Sequence, residues 1–197
     1  MPSVFIVTGH TPLSPGGVNG DRTEYQETKS LCEALKGCIS TLSPEIDVIT
    51  GEGNAFIEKA GRDDFLLVLH KGTYDKNAPT GGAEIYVKKE ADAACQYQAY
   101  RLLCSLCGKD GYRYRGVHPL TAVSPFRAFG GCVPDSAFLL KAGYIESEAD
   151  CLVWDKRADA LAEGLAGEII KIYKEKNYEV NSAVYTASLG GEHFKAS

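Results

Sequence analysis

Positive charge is in short supply in this chain. It has 21 Lys and Arg against 26 Asp and Glu in 197 residues, a formal net charge of -5. A surface that tracks phosphates is therefore not expected, and no nucleic-acid partner is expected either. Long apolar runs are missing as well. No stretch approaches the roughly 18 apolar residues of a membrane-spanning helix, so no membrane partner is expected. A disulfide framework is also lacking: Cys32, Cys38, Cys95, Cys104, Cys107, Cys132 and Cys151 are odd in number and scattered through apolar stretches. That is the pattern of buried free thiols in a reducing compartment. The start, MPSVFIVTG, has no basic region ahead of its apolar run, and the run is too short for a signal peptide, so cytoplasmic synthesis without a leader is expected. There is no internal repeat and no low-complexity tract. The glycine-rich SPGGVNG (14–20) lacks the Lys-Ser/Thr of a phosphate loop.

With 44% hydrophobic and 24% charged residues, the composition fits one globular domain with a sizeable core. Apolar runs bounded by turn residues alternate with helix-period segments, the signature of an α/β fold. SVFIVT (3–8) and FLLVLH (65–70) read as strands buried on both faces. IDVIT (46–50), AEIYV (83–87) and SAFLLKA (136–142) read as further strands. A helix is expected from Glu24, with Leu31, Ala34, Leu35, Cys38, Ile39 and Leu42 on one stripe and Pro44 as its stop. Others are expected over about Asp92 to Cys107 and about Ala158 to Lys176. The domain spans 1–176, and 177–197 reads as a loose tail or the start of a linker, with His193 solvated.

Ligands of open α/β sheets gather at the carboxyl ends of the strands. His10 and His70 each follow an apolar run at such an end, and Glu24 opens the first long helix, from which its carboxylate can lean over the same rim. Two imidazoles and a carboxylate form the three-ligand set of a catalytic zinc site. Spacing alone leaves the alternative open that these are satisfied polar groups, since Glu in a first helical turn is favoured by the helix dipole. YRYRGVHP (112–119) alternates aromatic and basic residues. Arg113, Arg115 and His118 either line a ligand groove or mark the exposed face of a strand. CSLC (104–107) has redox spacing but sits at a helix end, where thiolates are not stabilised, so core cysteines are the expected reading.

The words VFIVTGH, NGDRTEYQETKSL, FLLVLH with GGAEIYV, RGV and FLLKAGYIESEAD follow one another in the order used by zinc-dependent N-acetylmuramoyl-L-alanine amidases of the Amidase_3 type. The chain resembles that family over about residues 3 to 176, and EYQETKSL is similar to the corresponding helix of clostridial phage endolysins. The resemblance implies a single α/β domain with a twisted, mixed, mostly parallel sheet flanked by helices. It implies one Zn²⁺ on His10, Glu24 and His70, and hydrolysis of the amide joining N-acetylmuramic acid to L-alanine in peptidoglycan or a muropeptide. A lysin of this kind would act on the cell wall once released. One departure stands out. LLKAGY carries Lys141 where the family has the glutamate that shuttles the proton from water to the leaving amine. A protonated lysine cannot accept that proton, and losing a general base costs about 10²- to 10⁴-fold. The lysine can point into solvent, act as a neutral amine beside the metal, or be a change introduced into the chain. Glu146 and Glu148, read as loop acids, are the substitutes to consider. Two functions remain open: an amidase, impaired or not, and an inert zinc-bearing module that binds peptidoglycan or a protein partner.

Overall fold

The computed structural model describes residues 2–73, 81–120, 129 and 131–189, with side chains described as far as 177. In chain order the elements begin with β1 (Val4–Thr8), β2 (Val18–Asn19), β3 (Arg22–Thr23), α1 (Glu24–Leu42), β4 (Val48–Glu52) and α2 (Asn54–Ile57). They continue with β5 (Phe65–Gly72), β6 (Ala83–Val87), α3 (Ala93–Leu106), β7 (Tyr114–Pro119), β8 (Ser136–Tyr144) and α4 (Glu148–Leu189).

The two continuous apolar runs become the centre of the sheet. β1 lies between β4 and β5 and is parallel to both. β8 lies parallel to β5, β6 runs antiparallel to β8, and β7 runs parallel to β6 at the edge. The six strands thus stand in the order β4-β1-β5-β8-β6-β7. Alternate residues face opposite sides of a strand, and both sides are covered. On one, Val4, Ile6, Leu67, Leu69 and Leu140 pack beneath Leu31, Leu35 and Ile39 of α1, Leu102 of α3 and Leu165 and Ile169 of α4. On the other, Phe5, Val7, Leu66, Val68 and Leu139 meet Ile57 and Phe129. Strands with an apolar partner on each face have no polar alternation to show, which is why they read as unbroken runs.

The strands expected over 65–70 and 136–142 each run two residues further, and three other boundaries differ for a visible reason. The strand expected over 46–50 lies two residues later, because Ile46 is held in a turn by a 3.0 Å bond from its N–H to the Ser43 carbonyl. The last helix starts at Glu148 and not near Ala158, because the Ser147 hydroxyl accepts from the Asp150 amide at 3.3 Å and opens the helix there. Glu148 is therefore a first-turn residue and not a loop acid. That helix also runs past Asn177, continuing to Leu189 through the segment whose pattern reads as a tail. His193 lies outside the described residues. All seven cysteines are described and all are free thiols. Among the described residues, no helix is long and apolar enough to cross a membrane.

Candidate metal centre

A capping box starts α1 at the right place: the Thr23 hydroxyl accepts from the Gln26 amide and the Gln26 side chain accepts in turn from the Thr23 amide. Glu24 thereby becomes the first residue of the helix, directly over the ends of β1 and β5. Its carboxylate is 3% exposed. One oxygen, Oε1, accepts the Lys71 amide at 2.8 Å and lies 2.8 Å from His70 Nδ1. The other, Oε2, accepts the Gly17 amide at 3.1 Å and lies 3.2 Å from His10 Nε2. The two imidazoles stand edge to face with centroids 5.0 Å apart.

His10, Glu24 and His70 each offer a ligand atom, and the three atoms all lie within 4.8 Å of one another. This group can hold a metal ion. Two neutral imidazoles and one carboxylate are a donor set of the kind that suits zinc with further positions left open. Orientation is supplied from outside the trio. His10 Nδ1 donates to the Ser14 carbonyl at 3.1 Å, which leaves Nε2 as the atom that donates to Glu24 when the ring is protonated and that offers a lone pair to a metal when it is neutral. Burial opposes ionisation of Glu24, but hydrogen bonds from His10 and His70 outweigh it and hold the carboxyl well below the usual carboxylate range. The same hydrogen bond to Glu24 raises His10 above its ordinary value, against the opposing effect of burial.

Two glycines make room for the trio. A Cβ on Gly9 would overlap the His70 imidazole. Gly16, at φ +75°, takes the left-handed conformation that a side chain resists, and a Cβ there would fall on Glu24 Oε2 and within 2.7 Å of His10 Nε2. Behind the trio, on the helical side of the sheet, the Lys71 ammonium lies 2.7 Å from Glu27 Oε2 and 4.6 Å from the Trp154 ring centroid. Lys71 thus ties the end of β5 to α1 twice, by its amide to Glu24 and by its side chain one turn further on.

The trio forms one wall of a cleft of about 760 Å³, whose lining also includes Val68, Tyr86, Phe129, Leu139 and Lys141. Lys141 is here because of strand register. His70 on β5 pairs with Lys141 on β8, and Lys141 pairs with Glu84 on β6. Laterally paired residues project from the same face, so the three form a row across the sheet. The solvent-directed reading of Lys141 does not hold. Its side chain is 18% exposed and its ammonium donates to Glu84 Oε1 at 3.0 Å, an attraction that outweighs the pull of water on the lysine head. The same oxygen accepts from the Tyr86 and Tyr144 hydroxyls at 3.0 and 3.1 Å. Arg115 Nε lies 3.2 Å and His118 Nε2 3.9 Å from Glu84 Oε2. Arg115 and His118 thus gather on Glu84 and are not among the described residues that line the cleft, while Arg113 is exposed. Burial pushes the Glu84 carboxyl up, and the Lys141 bond and charge, then the Arg115 and Tyr86 bonds, reverse this and hold it below its ordinary value.

Glu84 is the residue that sequence reasoning missed. It lies inside the quoted word GGAEIYV, but its pairing with Lys141 spans 57 residues and carries no local signal. Neither Glu146, in the turn after β8, nor Glu148 is among the described residues that line the cleft. In CSLC, burial pushes the Cys107 thiol up to about 12, far from the thiolate of a redox motif.

Solved structures of N-acetylmuramoyl-L-alanine amidases share this fold. The catalytic domain of CwlV from Bacillus (Paenibacillus) polymyxa var. colistinus gives a TM-score of 0.70 at 18% identity, over 87% of this chain and 97% of that one. The CwlD amidase of Clostridioides difficile, solved in complex with the GerS lipoprotein, gives 0.70 at 14% identity, over 87% and 98%. The catalytic domain of the CD27L endolysin, which targets Clostridia difficile, gives 0.64 at 18% identity, over 87% and 98%. At these identities the likeness is one of fold. No family model matches the chain, and no curated protein matches it in sequence.

Proposed function

We propose that this chain is a zinc-dependent peptidoglycan amidase that hydrolyses the bond between N-acetylmuramic acid and L-alanine, with its proton-transfer step impaired. The observation that carries the reading is the convergence of His10, Glu24 and His70 at one wall of an open cleft, in a fold shared with amidase catalytic domains. Zinc held there would polarise a carbonyl oxygen and bring the pKa of water towards 7. The chain's own residues do the rest. Glu24, fixed by the amides of Gly17 and Lys71, presents its carboxylate without side-chain freedom, and the Ser14 carbonyl favours the neutral His10 tautomer whose lone pair is on Nε2. The Lys141 ammonium donates to Glu84 and offers no lone pair for the proton that hydrolysis releases. Glu84, already accepting from an ammonium, a guanidinium and two hydroxyls, is a poor base for the same reason. Arg115 and His118 contribute to substrate binding through their hold on this network. Peptidoglycan or a muropeptide is the substrate class, and the cell wall is the site of action.

The Lys141–Glu84 pair also favours a second reading, a zinc-bearing module that binds peptidoglycan or a protein partner without cleaving. One experiment separates them. The zinc-loaded chain is incubated with purified cell walls, with and without chelator, and newly freed L-alanine amino termini are counted while zinc is quantified in the protein. Slow, chelator-sensitive release with one zinc per chain supports the amidase. Binding to walls with one zinc and no release supports the inert module. Failure of the folded chain to hold zinc, or retention of zinc by His10→Ala and His70→Ala, refutes both.

A further inference from the structure

The exposed aromatic residues of this chain are not scattered. Tyr97 and Tyr100, one turn apart on α3, are 62% and 48% exposed, and Tyr114 at the start of β7 is 44% exposed. The Tyr97 and Tyr100 rings lie 6.4 Å apart and only 21° from parallel, and Tyr114 meets Tyr100 edge to face at 6.2 Å. Together they wall a groove of about 530 Å³, rimmed by Lys89 and Gln96. Its far end is Pro119, which also lines the metal cleft. Because β7 is the sheet's edge strand, nothing of the sheet stands between groove and solvent.

We infer that this tyrosine groove is an auxiliary binding site for a polymeric glycan of N-acetylated hexosamines, the backbone of the substrate class proposed above, on which the inference rests. A pyranose ring is apolar on its C–H face and polar at its edge. An aromatic plane beside ammonium and carboxamide donors matches both surfaces, and tyrosine tolerates water when the site is empty. An apolar peptide anchor needs an enclosed dry pocket, whereas this groove is open and carries a hydroxyl on every ring. Continuity with the metal cleft through Pro119 favours a polymer over a small solute. A chain whose one unit sits at the metal centre passes over the edge of the sheet, and the next units meet the tyrosines.

The test uses the full chain and two probes: peptide-free glycan strands, and intact peptidoglycan. Binding is read by co-sedimentation with the parent, a Tyr97→Ser/Tyr100→Ser/Tyr114→Ser variant and the matching Tyr→Phe variant. All three positions are exposed, so folding should survive, and circular dichroism with zinc content checks it. The parent and the Phe variant should hold the peptide-free strands, and the Ser variant should bind them about tenfold or more weakly with its zinc unchanged. Equal binding by the parent and the Ser variant, or equal loss in the Ser and Phe variants, overturns the inference. So does a parent that ignores the glycan but loses a protein partner on the Ser substitution. If the chain never cleaves peptidoglycan yet binds strands in a tyrosine-dependent way, the amidase reading fails and this one stands. If it cleaves walls with no dependence on the tyrosines, the reverse holds.

Discussion

On the proposed function, Lys141→Glu should raise the rate of wall hydrolysis, and the structure bears on what the change costs in stability. Lys141 and Glu84 are a largely buried pair, 18% and 6% exposed. Removing one partner of a buried pair costs about 3–5 kcal/mol. Arg115 and the hydroxyls of Tyr86 and Tyr144 remain on Glu84, so the cost here should fall at or below the lower end. A domain with about 5–15 kcal/mol of stability survives that. The new carboxylate stands beside Glu84, and two unit charges about 4 Å apart repel by about 4 kcal/mol at an effective dielectric near 20. The pair therefore retains a proton well above the ordinary carboxylate range. A carboxyl poised to gain and lose a proton near neutrality is what the shuttle needs. The expected gain in wall hydrolysis is about 10²- to 10⁴-fold, abolished by chelator.

Lys141→Gln is the control, since it breaks the ion pair but supplies no base. It should show the loss of stability without the gain in rate. Rates are measured as amino termini freed per zinc-loaded, folded molecule, so that stability and metal content do not enter the comparison. The reasoning is refuted if Lys141→Glu, folded and zinc-loaded, is no faster than the parent. It is refuted equally if Lys141→Gln gains as much, because the lysine would then have been an obstruction and not a missing base.

Gly16→Ala, which places a methyl on Glu24 Oε2, should fold yet hold zinc at least tenfold more weakly, as read by competition with a chromogenic chelator. Acid should reveal the Lys141–Glu84 pair: a carboxyl held below its ordinary 4.5 stabilises the fold above that pH and loses this as pH falls through the folded value. The stability gap between parent and Lys141→Gln in urea should therefore be full at pH 7 and begin to close as the pH falls below the ordinary carboxylate value, and a gap that widens in acid contradicts the assignment. Burial pushes the Cys32 and Cys132 thiols up to about 11, so both should react slowly with a thiol reagent at neutral pH and quickly once urea unfolds the chain. Mass spectrometry of alkylated peptides reads the difference.

The parts of the site legible in the sequence are those with local causes. His10 and His70 are visible because each terminates an apolar run, and Glu24 because it opens the first helix-period segment. Five of the six strands of the main sheet were legible for the same reason, while β7 was left open between a ligand groove and a strand face; the separate β2–β3 hairpin (Val18–Thr23) and the four-residue α2 bury too little to leave a periodic trace. Strand order was not. β6 inserts between β8, to which it is antiparallel, and β7, to which it is parallel, and nothing local in AEIYV or FLLKAGY states that Glu84 and Lys141 will face each other. The start of the last helix could have been found, because SEAD offers a serine cap three residues ahead of an acid. Three exposed tyrosines from two elements carry no shared pattern at all, since the helix spacing that pairs Tyr97 with Tyr100 says nothing of Tyr114.

The two halves of the centre rest on different devices, and this makes their failures separable. The metal half depends on the ends of β1 and β5, the first turn of α1, and the clearance at Gly9 and Gly16. The proton half depends on the lateral register of β5, β8 and β6, which the buried core fixes whatever residue stands at 141: Leu140 and Ala142 on either side are packed into the helical face. A substitution at 141 can therefore reverse the charge of the proton half while leaving His10, Glu24 and His70 where they are. Lys141→Glu should accordingly change rate with zinc affinity constant, whereas Gly16→Ala should lower both together. If zinc affinity instead rises or falls severalfold with the charge at 141, the two halves are electrostatically coupled, and Lys141 acts on the metal itself as well as on the proton.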